Sequence, residues 1–257
     1  MIYKHISHFI SYILKNKVKE VYMLISNRKI IIIICIVIII LILFKSIKYT
    51  EKNVFTSSTP ISNHILIIDA GHGLPDGGAI GINDSVIESN LNLEIVLKLQ
   101  KLLEASNCTV ILTRSDENGI YDVDANTIRE KKISDMKNRV KIANDSNADF
   151  FISIHMNKLD DSSVSGFQTF YKNQDEISKN LANNIQNNLN IFIKNENSKK
   201  TKSISDIYLT ENVKIPLVLI ECGFLSNSEE NQLLQSDSYQ DKISWSIYTG
   251  IMDYFEK

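Results

Sequence analysis

From residue 64 onward, the sequence alternates short apolar runs with longer segments whose apolar residues recur at helical spacing. The runs HILIID (64–69) and PLVLIE (216–221) are continuous, as expected for strands buried on both faces of a sheet. This alternation predicts an α/β fold, with a mostly parallel sheet of about six strands flanked by helices. Strands are predicted at 64–69, 109–114, 149–154, 166–171, 207–210 and 216–221, and helices at 86–105, 128–145, 174–194 and 239–255.

A second feature lies near the N-terminus, where residues 30–44 form the uncharged apolar run IIIIICIVIIILILF. It is shorter than the roughly 20 residues that span a bilayer comfortably, but the lysines on each side can snorkel towards the headgroups. The run begins late for a signal peptide, and no small-residue cleavage site follows it. The basic excess before it predicts that the N-terminus stays in the cytoplasm. We therefore expect a basic cytoplasmic segment at 1–29, a single transmembrane anchor at 30–44, a linker at 45–62 and an extracytoplasmic domain at 63–257.

Charge and cysteine content narrow the function of this outer domain. The first 52 residues carry a net charge of +7 and the whole chain −2, so residues 53–257 carry −9. An acidic domain argues against a nucleic-acid partner, because phosphate binding needs a basic surface. Of the three cysteines, Cys35 lies in the apolar run. Cys108 and Cys222 form no CxxC pair, and we expect both to be buried as small apolar residues.

The stretch LIIDAGHGLPDGGAIG (66–81) joins the first strand to a glycine-rich loop. In the dinucleotide pattern G-x-G-x-x-G, the third glycine is replaced by Asp76, and no G-K-[ST] follows. A pyrophosphate would also be repelled by the carboxylates of Asp69, Asp76 and Asp84, so the sequence argues against a nucleotide site. A serine hydrolase lacks support because there is no G-x-S-x-G elbow, and a carboxylate beside Cys222 would make that thiol a poorer nucleophile.

Four polar residues stand where the strands end or the next helix starts. His72 follows the first strand, His155 the third, Glu221 ends the last, and Glu88 opens the helix after the loop. Reactive groups gather at this edge of such sheets, and two imidazoles with one carboxylate are a catalytic zinc set. Alternatives remain open: each histidine could bond to backbone, and Glu88 could complete a capping box with Ser85. A role in the site is favoured for Glu221, because a carboxylate that directly follows five apolar residues is costly to bury without a partner.

The blocks IDAGHG, ESNLNL, LTRSDE, RVKIAN, SIHMN, GFQTFY and LIECGFLSN, taken in this order, resemble the zinc-dependent N-acetylmuramoyl-L-alanine amidases of the third amidase type. The resemblance covers about residues 64–257. It implies that zinc is the cofactor, with His72, Glu88 and His155 as its ligands, and that Glu221 is the catalytic base. Asn157, in the SIHMN block, is a candidate contact to the substrate or the oxyanion.

The resemblance also implies a reaction, the hydrolysis of the amide bond between the lactyl group of N-acetylmuramic acid and L-alanine in peptidoglycan. Glu221 would take a proton from the attacking water and return it to the departing amine. Arg114 and Arg139 lie in matching blocks and could form internal ion pairs or contact substrate. Two other functions remain open, a zinc peptidase that cleaves peptidoglycan cross-links and a non-catalytic wall-binding scaffold.

The compact plan, with one membrane anchor and no wall-binding repeats, resembles the membrane-anchored, germination-specific amidases of spore-formers, and this implies a role in cell-wall or spore-cortex maturation. It implies peptidoglycan as substrate, membrane attachment through the N-terminal helix and action on the extracytoplasmic side, in the forespore intermembrane space. An accessory activator protein is a further expected partner.

Overall fold

The computed structural model of this 257-residue chain divides into two compact units, Met1–Ser57 and Ser58–Lys257. It describes residues 14–20, 23, 36–43, 45, 58–193 and 199–256. In the second unit, Ile61 already lies in the hydrophobic core with no exposed surface.

The first unit contains the predicted anchor at 30–44. Residues 14–20 and 36–43 are helical, whereas residues 30–35 and 44 of the anchor lie outside the described residues. Among the residues that are described, no helix is both long and apolar enough to cross a membrane. The division of residues 1–62 into basic segment, anchor and linker stays a prediction.

A six-stranded sheet in the order β2-β1-β3-β6-β4-β5 organises the second unit. The strands are β1 Ile65–Ala70, β2 Thr109–Leu112, β3 Phe150–Asn157, β4 Gln168–Lys172, β5 Lys202–Ile204 and β6 Leu217–Phe224. Strands β2, β1, β3 and β6 run parallel, as predicted. Strand β4 pairs antiparallel with β6, and β5 is parallel to β4.

The prediction of a mostly parallel sheet is therefore wrong, because the sheet is mixed and two of its strands run against the other four. The reason lies in residues 158–167, which join β3 to β4 without a helix. A parallel connection needs a crossover of a dozen or more residues to return to the starting edge of the sheet. This shorter loop sends β4 back in the opposite direction.

Helices cover both faces of the sheet. They are α1 Glu88–Ala105, α2 Ile128–Asp145, α3 Glu176–Phe192, α4 Tyr208–Asn212, α5 Ser228–Leu233 and α6 Asp237–Phe255. Helices α1, α3 and α6 pack together over the larger hydrophobic cluster. Helices α2 and α4 cover a smaller cluster on the opposite face, built around Ile67, Phe151 and Leu217. The result is the three-layer arrangement expected of an α/β fold.

The predicted strand at 207–210 is wrong, because Tyr208–Asn212 forms the short helix α4. Leu209 is buried in the smaller cluster, and the Thr210 hydroxyl donates to the Ile207 carbonyl one turn back. A segment of only four residues is too short for its pattern of apolar and polar side chains to distinguish a strand from one helical turn. The sixth strand is instead Lys202–Ile204, which is largely exposed at the edge of the sheet. Its sequence contains no apolar run from which a strand could be predicted.

Both cysteines of this unit are buried and free, as predicted. Burial raises the pKa of the Cys108 thiol to about 11. Burial and the neighbouring Glu221 carboxylate raise the pKa of Cys222 as well. Thiols of this kind stay protonated and unreactive at neutral pH, so both residues act as core side chains.

Candidate metal centre and catalytic cleft

Three side chains from separate elements converge at the carboxyl ends of the parallel strands. His72 lies just beyond β1, Glu88 opens α1, and His155 is on β3. The Glu88 Oε1 atom lies 3.3 Å from His72 Nε2 and 3.0 Å from His155 Nδ1. One potential ligand atom from each residue lies within 4.8 Å of the other two. The structure thus brings together the three residues predicted as metal ligands.

The arrangement fits a zinc ion in both chemistry and spacing. Ligand atoms about 2.0–2.1 Å from a tetrahedral zinc lie roughly 3.3 Å from one another, close to the two separations from Glu88 Oε1. Asp76 supplies an outer partner, since its Oδ2 atom lies 3.2 Å from His72 Nδ1. A carboxylate on one imidazole nitrogen fixes the ring and leaves the other nitrogen for the metal.

The Glu88 carboxylate is buried and held in place by backbone groups. The Ala79 amide donates to Oε2 at 2.7 Å, and the Met156 amide donates to Oε1 at 3.1 Å. Burial alone would raise its pKa, but hydrogen bonds and charge from His155 and His72 outweigh that effect and lower it well below its usual range. Glu88 is therefore ionised, the form in which a carboxylate binds a cation.

The capping box that Ser85 and Glu88 could form is not present in the structure. Helix α1 has Ile87 at its N-cap and no side-chain cap, although Glu88 stands in the first turn. The Ser85 hydroxyl instead accepts a hydrogen bond from Asn231 Nδ2 at 3.1 Å. The Glu88 side chain turns towards the two histidines rather than back along its own helix.

His72 has a backbone φ of +61°, in the left-handed region that costs a residue with a side chain about 1–3 kcal/mol. Two buried arginines hold the loop in this conformation. Arg114 donates to the carbonyls of Ala70 and Gly71 at 2.9 and 3.0 Å, and Arg139 donates to that of His72 at 2.5 Å. Arg139 forms internal ion pairs with Asp69 and Asp135, as one of the two readings of the sequence proposed, whereas Arg114 contacts backbone carbonyls within the fold.

Asp69 is fully buried and holds Arg139, one of the two arginines that contact the loop. Its carboxylate pairs with Arg139 and accepts hydrogen bonds from the hydroxyls of Thr113, at 2.6 Å, and Ser153, at 2.5 Å. Burial raises the pKa of Asp69, but the Arg139 charge and the two hydroxyls outweigh it and lower the pKa overall. With its oxygens committed to these partners, Asp69 supports the metal loop and is not part of the ligand set.

Glu221 lies beside the three converging residues, since its Cα is the register partner of His155 across β3 and β6. Both residues line a cavity of about 330 Å³. Burial raises the pKa of Glu221, an effect that the His155 charge partly offsets. Its Oε2 atom is buried and has no hydrogen-bond partner among the described residues. Buried carboxylates without partners are costly, which favours a chemical role for this one.

Asn157 occupies a different position from the other predicted site residues. It ends β3, where its carbonyl accepts a hydrogen bond from the Leu225 amide at 2.8 Å. The β3–β6 register shifts between His155 and Asn157, and Asn157 is not among the residues that line the cavity. Its contact with substrate or oxyanion stays a prediction.

Sequence reasoning missed several cavity residues. Asp76 pairs with His72, and its position four residues after a histidine in the same loop is a signal in the sequence for this role. Tyr121, Lys131 and Lys132 also line the cavity. They belong to the loop after β2 and to α2, and no local motif links them to the metal residues.

Comparisons with known proteins agree with this geometry. Residues 66–253 match the family model described as N-acetylmuramoyl-L-alanine amidase. A germination-specific N-acetylmuramoyl-L-alanine amidase of Bacillus subtilis is 38% identical over 198 residues, which cover 77% of this chain and 82% of that protein.

Solved structures show the same fold. The CwlD amidase of Clostridioides difficile, solved in complex with the GerS lipoprotein, is 44% identical with a TM-score of 0.74, covering 76% of this chain and 99% of that one. The catalytic domain of CwlV, from Bacillus (Paenibacillus) polymyxa, is 30% identical with a TM-score of 0.64, covering 75% and 98%. The chain therefore belongs to the family of N-acetylmuramoyl-L-alanine amidases, hydrolases of the amide bond that joins muramic acid to L-alanine in peptidoglycan.

Proposed function

We propose that this amidase is zinc-dependent, with His72, Glu88 and His155 as the metal ligands and Glu221 as the general base. The observation that carries the proposal is the convergence of the three ligand-type side chains within 4.8 Å, beside a buried carboxylate oxygen that has no hydrogen-bond partner in the described part of the chain. Two imidazoles and one carboxylate leave a coordination position open, which is the arrangement of catalytic rather than structural zinc.

The chain's own groups then have defined tasks. When bound, zinc supplies Lewis acidity that polarises the scissile carbonyl and acidifies water. Glu221 takes the proton of the attacking water as the new C–O bond forms, and gives that proton to the L-alanine nitrogen as the C–N bond breaks. The products are a free lactyl carboxylate and a peptide with a free amino terminus. Burial raises the pKa of Glu221, which makes its carboxylate a stronger proton acceptor than an exposed one.

The setting of the reaction is the spore cortex. The Bacillus subtilis relative is named as germination-specific, and the compact catalytic unit covers most of that protein's length. An accessory lipoprotein takes part, as the complex of the Clostridioides difficile relative with GerS suggests by similarity. The apolar run at 30–44, preceded by basic residues, anchors the chain with its catalytic unit on the extracytoplasmic side.

Digestion of purified peptidoglycan by the full-length protein tests the proposed chemistry. We expect release of peptides that begin with L-alanine, together with glycan that keeps its lactyl carboxylates, as read by mass spectrometry. A chelator should abolish release, and added zinc should restore it. Cleavage within peptide cross-links would contradict the assigned bond, and full activity after the metal has been removed would contradict the assigned cofactor.

A further inference from the structure

Among the described residues that line the cavity beside the metal residues, one cation forms no ion pair with a carboxylate. Lys132 Nζ lies 2.8 Å from Asp76 Oδ1, and Arg139 pairs with Asp69 and Asp135. Lys131 also lines the cavity, and it has no ion pair within the described part of the chain. Its ammonium group lies over the Tyr121 ring, 4.7 Å from the ring centroid.

Three of the four acids that line the cavity are already engaged with other groups. Asp69 and Asp135 bind Arg139, Asp76 binds Lys132 and His72, and Asp135 also accepts from the Ile120 amide at 2.7 Å. None of these three is available to Lys131, and the fourth, Glu221, forms no ion pair with it among the described residues. The positive charge of Lys131 therefore faces the cavity as an open site for an anion.

Lys131 is also held in position rather than free to sample solvent. Its side chain is half-buried on the first turn of α2, whereas its neighbour Lys132 is 51% exposed. Contact between an ammonium group and an aromatic face orients the lysine, and it leaves the remaining N–H donors unused. A preorganised lysine loses less side-chain entropy when it binds a ligand.

The substrate class supplies an anion at a suitable place. In peptidoglycan, L-alanine is followed by a γ-linked D-glutamyl residue whose α-carboxyl is either a free carboxylate or a carboxamide. We propose that Lys131, oriented by Tyr121, binds this α-carboxylate and selects stem peptides in which it is not amidated. The proposal rests on the proposed function, because it takes the cleft between Glu221 and α2 as the place where the peptide lies.

The apolar residues that line the cavity agree with this assignment. Ile207, Leu209 and Leu219 line it together with Met136. Apolar walls suit the methyl group of L-alanine, and they lower the local dielectric around the lysine. A charge-assisted hydrogen bond is stronger in such surroundings than in water.

Binding of two peptides to the full-length protein tests the proposal without relying on turnover. Both peptides begin with L-alanyl-γ-D-glutamyl, one with a free α-carboxyl and the other with a carboxamide at that position alone. Neither contains the lactyl amide bond, so both can be titrated by calorimetry. We expect the wild-type protein to bind the free acid about tenfold more tightly.

Variants then assign the preference to Lys131. K131M keeps the length of the side chain but removes the charge, and it should reduce the tenfold preference to about onefold, whereas K131R should retain most of it. K137M is the matched control, because Lys137 is exposed on the same helix and lies outside the cavity. It should bind both peptides like the wild type. Equal binding of the two peptides by the wild type, or an unchanged preference in K131M, would overturn the proposal.

The proposed function is judged separately, by which bond is cleaved in intact muropeptides. Cleavage of the lactyl–L-alanine bond without any preference for the free acid would leave the amidase chemistry intact and refute the subsite. A clear binding preference without cleavage of that bond would support the subsite and refute the proposed chemistry.

Discussion

At the scale of single residues, the centre depends on glycines that allow side chains to approach the backbone. A Cβ at Gly71 would lie 2.3 Å from His155 Nε2, and one at Gly78 would lie 2.5 Å from Glu88 Oε2. Gly78 also has a φ of +71°, in the left-handed region. The glycines around His72 therefore have a packing purpose, and they bring the ring of His155 against the loop.

Replacing the proposed base is the sharpest test at this scale. E221Q keeps the shape of the side chain but cannot accept the water proton, so we expect hydrolysis to fall by about 10²–10⁴-fold. Zinc content, measured by atomic emission on the purified protein, should stay at the wild-type level. E229Q is a matched control, because Glu229 is exposed on α5. Undiminished activity in E221Q would exclude the base role, and loss of zinc would make Glu221 a ligand instead.

At the scale of elements, α2 reaches across the end of β1 to stabilise the metal loop. Arg139 on α2 joins the Asp69 carboxylate of β1 to the backbone carbonyl of His72. Asp135, on the same helix, pairs with Arg139, and its Oδ2 atom lies 2.7 Å from Arg139 Nε. Helix α2 thus fixes the loop conformation through the Arg139 guanidinium group. The position of that group is fixed in turn because α2 packs on the smaller hydrophobic cluster.

A double-mutant cycle measures this connection. R139M leaves the Asp69 charge buried without its partner, so unfolding free energy should fall by about 3–5 kcal/mol. D69N in the same background removes that charge, and the double variant should be clearly less destabilised than the sum of the single changes. Urea unfolding of the metal-free protein provides the values. Additivity within about 0.5 kcal/mol would show that the two residues do not interact energetically.

At the scale of the whole molecule, the N-terminal residues and the catalytic unit have opposite charge. The first 52 residues carry +7, and the remainder carries −9. Basic residues before an apolar run favour a cytoplasmic N-terminus, while the acidic unit has no electrostatic attraction to an anionic lipid surface. Attachment to a membrane should therefore depend on the apolar run at 30–44 rather than on the catalytic unit.

Cell fractionation tests this attachment. The full-length protein should sediment with membranes and resist extraction by high salt, whereas detergent should release it. A chain lacking 30–44 should appear in the soluble fraction. Replacement of Lys15, Lys17 and Lys19 by glutamine is the control for surface electrostatics, and this variant should stay with the membranes. Release of the full-length protein by salt alone would exclude a spanning anchor.

Much of the fold could be predicted because its information is local. Continuous apolar runs marked β1, β3 and β6, and helical periodicity marked α1, α2, α3 and α6 to within a few residues. The elements that were mistaken or missed, α4, α5 and β5, are all short. In segments of three to six residues, a periodic pattern cannot repeat often enough to identify the structure, so neighbouring elements decide it.

The sequence by itself determined which residue types stand at the carboxyl ends of the parallel strands, and so predicted that His72, Glu88, His155 and Glu221 lie together. Tertiary structure alone decided the rest: the reversed direction of β4, the contacts of Arg114 and Arg139 with the loop carbonyls, and the lack of an ion pair at Lys131 among the residues that the structure describes. The reason is physical. A strand end is a local property of the chain, whereas the partner of a buried charge is selected by packing among residues far apart in sequence.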